Sequence, residues 1–272
     1  MRAKREIAGI VLPFASGTAV FMYIADAHAA VSAPTLLSMT AFLVGSLLYV
    51  RNHRLSHSLT WSIIILCMAL CGALAASTDI LLSVSKHEET SWLASVALNF
   101  SETIQDSIDG IPFKNEYTGL VIKALLTGEK SGIPDGITSA FRASGASHIL
   151  ALSGLHLGII YSIIRLVTRC IGNTAEAKAI RSIITVCICG FYTLATGAGA
   201  SIVRAFIFIL IGETARLSGR PTGLRKIMMV ALLIHLAIEP SSIKEVGFQL
   251  SYAAIAGIAY IFPWLQGFWP GN

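Results

Sequence analysis

The residues of this chain with the most chemistry to offer lie where charge is costly. His156, Arg204, Glu213 and His235 all fall inside long apolar runs. On insertion scales a charged side chain at the centre of a bilayer costs about 2.5 kcal/mol or more, so such groups persist beside a partner or a wet cavity. His235 is expected to hydrogen-bond a neighbouring helix. Glu213 stands three residues before Arg216, close enough on a helix for the two charges to meet. For both, structural satisfaction is the expected role.

The stretch Ala143-Ser-Gly-Ala-Ser-His-Ile-Leu-Ala-Leu-Ser-Gly-Leu-His-Leu-Gly158 is denser. It gathers Ser147, His148, Ser153 and His156 among three glycines. Loosened backbone inside a span is tolerated only where protein or water satisfies it. The stretch therefore points either to an aqueous path or to helices approaching closely over small residues. A serine hydrolase would need a nucleophile aligned with a base. Ser153 and His156, three apart on one helix, are not expected to align, and neither a nucleophile elbow nor an orienting acid accompanies them. No catalytic residue is assigned, and the chain is not expected to be an enzyme. Arg204 follows the break Gly197-Ala198-Gly199. An arginine there either attracts an anion such as phosphate or reaches outward to the interface. The five cysteines fit no zinc spacing and read as small hydrophobes, so neither a metal nor a cofactor is expected.

The elements that must hold these residues follow from composition. Apolar and aromatic residues make up 54% of the 272, charged residues only 13%, against about a quarter in a soluble domain. Mean hydropathy is +0.71. This excludes a soluble enzyme, a disordered tail and a secreted disulfide scaffold. The expected fold is all-α, a polytopic transmembrane helical bundle. A span needs about 20 mainly apolar residues. Candidates at 7–24, 33–50, 59–76, 148–167, 182–200, 201–217, 227–238 and 247–265 give about eight, the seventh short enough to re-enter.

Charge then sets the orientation. Most of the 20 Lys and Arg residues fall at Arg2 to Arg5, Arg51 to Arg54, Arg165 to Arg181 and Arg216 to Lys226. Counted as inner segments, they place both termini in the cytoplasm. The net charge of +5 is thus an orientation signal, not in itself a nucleic-acid signal. The outer segment holds an amphipathic helix at 91–109, with Leu93, Val96, Phe100, Ile104 and Ile108 at helical spacing. Its polar side is acidic (Glu102, Asp106, Asp109), so a helix packed on the bundle is expected. A second short helix at 116–127 leads into a turn at 128–134. Three regions result: a three-helix region 1–76, an extracytoplasmic segment 77–115 and a core 116–272.

Four pieces of this core resemble a known family. The string FRASGASHILALSGLHLG, from Phe141 to Gly158, resembles the signature of the ComEC-type competence proteins, the inner-membrane DNA-uptake channels of transformable bacteria. Leu125-Leu-Thr-Gly-Glu-Lys-Ser-Gly132 is similar to the helix and turn before that signature. Gly199-Ala-Ser-Ile-Val-Arg-Ala205 resembles the family's SxxRA element, and Gly247-Phe-Gln-Leu-Ser-Tyr252 its GFQLS element. All four keep the family's order.

The resemblance implies import of single-stranded DNA across the cytoplasmic membrane during natural transformation. Carried over by motif position, Ser153, Gly154, His156, Arg204, Gln249 and Ser251 would line the path. Implied partners are single-stranded DNA, membrane lipid, a DNA-receptor protein, a separate nuclease and a cytoplasmic motor, with an oligomer left open. Family members usually carry an OB-like domain and often a metallo-β-lactamase-like nuclease domain. Here the interval before the core has room only for helices, and no HxHxDH cluster occurs. A short member with a core shortened at its C-terminal end is expected. Two other functions stay open: a small-molecule or ion transporter on the same bundle, from the break before Arg204 and from His156, and a non-transporting membrane scaffold, from the missing parts.

Overall fold

The computed structural model describes residues 2–25, 39–46, 57–83, 92–146, 153–172, 174–219 and 222–266, whose regular structure is all helical. In chain order the helices are α1 (Arg2–Ala25), α2 (His57–Ser83), α3 (Trp92–Asp109), α4 (Glu116–Leu126), α5 (Asp135–Ala143), α6 (Gly154–Val167), α7 (Ala175–Ala195), α8 (Ala200–Leu217), α9 (Leu224–Ile238) and α10 (Val246–Gln266). Residues 39–46 are also helical. The chain divides into two compact units, one of Met1–His87 with Thr222–Asn272 and the other of Glu88–Pro221. Ser58–Ile80, Gly154–Ile171, Ala175–Ala195 and Val246–Gln266 are long and apolar enough to cross a bilayer; Ile7–Tyr23 and Tyr117–Leu126 are apolar but shorter. The chain is a helical membrane protein.

In the first unit, α1 and α2 touch backbone to backbone. A Cβ on Gly17 would overlap the carbonyl of Ala69, and one on Gly72 would overlap the carbonyl of Phe14. Lipid tails are as apolar as the side chains, so helices gain by fitting closely over small residues. Thr18, fully buried at this crossing, turns its hydroxyl back to the Phe14 carbonyl (3.0 Å) and leaves no donor unsatisfied. At the end of α2, Asp79 accepts from the Ser241 backbone N–H (3.3 Å), tying α2 to the 3-10 turn Pro240–Lys244. Between α9 and α10, the buried His235 meets the Phe248 and Tyr252 rings edge-on, centroids 5.0 and 6.2 Å away.

In the second unit, α6, α7 and α8 form an up-down-up bundle around Leu157, Ile164, Cys189 and Ile202. Apolar residues at three- and four-residue spacing put this stripe on one face of each helix. The link between α7 and α8 falls at the expected glycine break. Gly197 (φ 74°) and Ala198 (φ 49°) adopt left-handed backbone. Gly197 donates to Leu194 O (3.0 Å) and Ala198 to Thr193 O (2.9 Å), a Schellman end to α7 that lets α8 start within four residues. α7 itself begins at Ala175, seven residues ahead of the expected span, because Thr174 caps it, accepting from Ala177 N (3.2 Å).

The amphipathic helix is present as α3, and its buried face takes in only the C-terminal part of the stripe, with Ala97 and Ser101 beside it. Ala97, Ser101 and Ile108 are buried, whereas Leu93, Val96 and Phe100 are about half exposed. Small side chains allow the closer approach to α7, and Phe100 meets Phe191 edge-on at 5.3 Å from the rim. Lys123 of α4 pairs with Asp109 (2.7 Å), and Tyr192 of α7 donates to Leu126 O (3.1 Å). The start of the fourth expected span, 148–152, lies outside the described residues.

The glycine crossing gives a direct test. Gly72→Val should destabilise the purified protein by about 1–3 kcal/mol or prevent its accumulation, because backbone cannot yield as a side chain can. Gly45→Ala, where a Cβ meets nothing within 4 Å, should be neutral or slightly stabilising in the same thermal unfolding assay.

Candidate functional site

The site starts at the N-terminus of α6. Ser153 is extended (φ −114°, ψ 164°) and caps the helix, with His156 three residues on. His156 Nδ1 accepts from the Ser153 backbone N–H (3.2 Å) and lies 3.1 Å from Ser153 Oγ. The expectation that this serine and histidine fail to align is not met. Ser153 is a cap rather than a helical residue, so the first turn folds the imidazole back over it. Among the described residues no carboxylate is hydrogen-bonded to His156, and no group of three or more His, Cys, Asp or Glu residues is arranged to hold a metal ion. Ser147 and His148 lie outside the described residues.

Gly154 then fixes where this turn sits. A Cβ there would lie 3.1 Å from the Ala205 Cβ and 3.8 Å from Ser201 O, so the start of α6 rests on the start of α8. Ser201 and Ala205 bracket Arg204, which is buried at 6% exposure. The glycine contact thus sets the helix start that carries Ser153, Gly154 and His156 against the Ser201–Ala205 turn of α8, within which Arg204 lies.

Gln249 and Ser251 belong to the other unit. Gln249 Nε2 donates to Ile243 O (2.9 Å), bracing the 3-10 turn before α10, and comes within 3.5 Å of the Tyr23 hydroxyl. Ser251 is half-buried on α10.

At the opposite end of the three-helix bundle, Glu213 is buried at 1% exposure. Its Oε1 accepts from the Tyr161 hydroxyl (2.8 Å) and Arg216 Nη1 (3.1 Å). Its Oε2 accepts from Ser182 Oγ (2.7 Å) and Arg165 Nη1 (3.5 Å). Each carboxylate oxygen is therefore met by one hydroxyl and one guanidinium, drawn from α6, α7 and α8. Structural satisfaction is the role found for Glu213. Arg216 was legible as a partner at three-residue spacing; Tyr161, Arg165 and Ser182 were not, since nothing local links them to position 213.

Outside the spans, the turn after α4 carries one perturbed acid. The Ser131 backbone N–H donates to the Glu129 carboxylate (2.7 Å), and Ser131, side chain and backbone, holds that carboxyl below its usual value. A depressed carboxylate steadies the turn at neutral pH and loses this as pH falls through the lowered value.

The sequence from α4 onward matches a profile of the competence proteins over residues 125–272, more than half the chain. The chain belongs to the competence protein family. ComE operon protein 3 of Bacillus subtilis (strain 168) is 30% identical over 138 residues, 51% of this chain and 17% of that protein. The uncharacterized protein YcaI of Escherichia coli (strain K12) is 26% identical over 148 residues, 53% of this chain and 20% of that protein. The aligned stretches span a fifth or less of these relatives. No solved structure matches the chain. The family match encloses the α6–α8 contact, the Glu213 cluster and the GFQLS element alike.

Removing Glu213 takes the shared acceptor from the Tyr161 and Ser182 hydroxyls and from the part-buried Arg165 guanidinium. Glu213→Ala should cost about 3–5 kcal/mol, as losing one partner of a buried ion pair does. Arg216→Ala, whose side chain is 52% exposed, should cost about 1 kcal/mol or less. Thermal unfolding in one detergent compares the two.

Proposed function

We propose that the chain is a subunit of a path that imports single-stranded DNA across the cytoplasmic membrane during natural transformation. The observation that carries this reading is the Gly154–Ala205 contact, which sets the family signature against the SxxRA element. A polyanion entering a low-dielectric region needs fixed positive charge along its way. In this reading Arg204 supplies that charge from within the bundle, one residue from the contact. The Ser153–His156 turn, half-buried, offers polar groups that do not repel phosphate.

The proposed topology has about eight crossings and both termini in the cytoplasm, supported by the Lys and Arg distribution and the positive-inside rule. The chain performs no covalent step in this scheme. In this reading its partners are a DNA-receptor protein, a separate nuclease and a cytoplasmic motor.

The test is a transformation assay on a host lacking this coding sequence, rescued with wild-type, His156→Ala or Arg204→Ala protein at matched membrane levels. Wild type should restore uptake of radiolabelled DNA. Each variant should reduce it about tenfold or more, the effect of roughly 1.4 kcal/mol in a barrier. Full rescue by both variants would fit a scaffold. Normal uptake in the deleted host would remove the transport role.

A further inference from the structure

The first unit carries a half-open cavity of about 470 Å³ whose lining mixes apolar surface with two cations. That volume lies within the range of small-ligand sites. Ile7 of α1, Met229 of α9 and Ile258 and Pro263 of α10 supply the apolar wall. Arg225, Lys226 and Tyr260 supply the polar groups.

Arg225 is exposed, yet its guanidinium is held in place. Its Nε donates to Ala259 O (2.8 Å), and its centre lies 4.9 Å from the centroid of the Tyr260 ring, over its face. Ala259 and Tyr260 belong to the π turn Gly257–Ile261 that interrupts α10. Single π turns of this kind are frequent at functional sites. The remaining guanidinium nitrogens make no hydrogen bond among the described residues. Next to the cavity, Ile258, Ile261, Phe262, Trp264 and Leu265 are each more than half exposed. On a membrane helix such a face meets acyl chains, and tryptophan marks headgroup depth.

We propose that this cavity binds an anionic phospholipid, with its phosphate on Arg225 and Lys226 and its acyl chains along Ile7, Met229, Ile258 and Pro263. Basic pockets between transmembrane helices hold anionic headgroups in this way. Free phosphate would leave the apolar wall wet. A nucleic acid would set its charged backbone against the same apolar wall, which acyl chains match. The site does not depend on what the protein transports.

The full chain, delipidated in a neutral detergent, is titrated separately with phosphatidylglycerol, phosphatidylcholine, sodium phosphate and a single-stranded oligonucleotide while Tm is followed. Phosphatidylglycerol should raise Tm with saturation, as a ligand of the native state does. Phosphatidylcholine and sodium phosphate should not. Arg225→Gln with Lys226→Gln should weaken phosphatidylglycerol binding about tenfold or more. Ile258→Trp, which fills the cavity and keeps both cations, should weaken it comparably and decides the matter if the double variant fails to fold. Equal shifts from both lipids, wild-type affinity in either variant, or displacement of phosphatidylglycerol by the oligonucleotide would each overturn the proposal.

Discussion

A carboxylate with 1% of its surface exposed, among helices built for a bilayer, obliges its neighbours to supply donors, and Glu213 sets the arrangement of the three-helix bundle in this way. Four donors from three helices converge on two oxygens. Charge-assisted hydrogen bonds are worth roughly twice neutral ones, and an unmet charge in this setting costs several kcal/mol. Rotating any one helix about its axis would break at least one of these bonds. The cluster therefore fixes the faces of α6, α7 and α8, and with them which way Leu157, Cys189 and Ile202 point.

The other end of the same bundle is fixed by the absence of a side chain. Gly154 lets α6 rest on α8, so the signature and the SxxRA element share one place although each is unremarkable alone. α1 and α2 use the same device in the other unit at Gly17 and Gly72. Without a strong hydrophobic drive between helices in lipid, close approach and polar clusters do the work that a soluble core leaves to burial. Polar groups can then sit at helix ends, as the Ser153–His156 turn does.

Much of this was legible in the sequence. Apolar runs marked the helices because water-free backbone must be satisfied within each segment. The 197–199 break, the helix over 92–109, the short helix from Glu116 and the Glu213–Arg216 pair all follow from local patterns. Three features did not. Part of the buried face of α3 was not legible, because Ala97 and Ser101 carry little hydropathy but allow close packing. The Ser153–His156 alignment was missed because Ser153 was taken as helical. Tyr161, Arg165 and Ser182 were invisible as Glu213 ligands because only the fold brings them near it.

The claim on which the site rests is that Gly154 and Ala205 touch. In a background with the five native cysteines replaced, Gly154→Cys with Ala205→Cys places two Cβ atoms about 3.1 Å apart, within a small adjustment of disulfide geometry. Mild oxidation in native membranes should cross-link this pair. Gly158→Cys with Ala205→Cys, where a Cβ at 158 meets nothing within 4 Å, should stay reduced. A reduced first pair, or equal cross-linking of both, would contradict the placement of the signature against the SxxRA element.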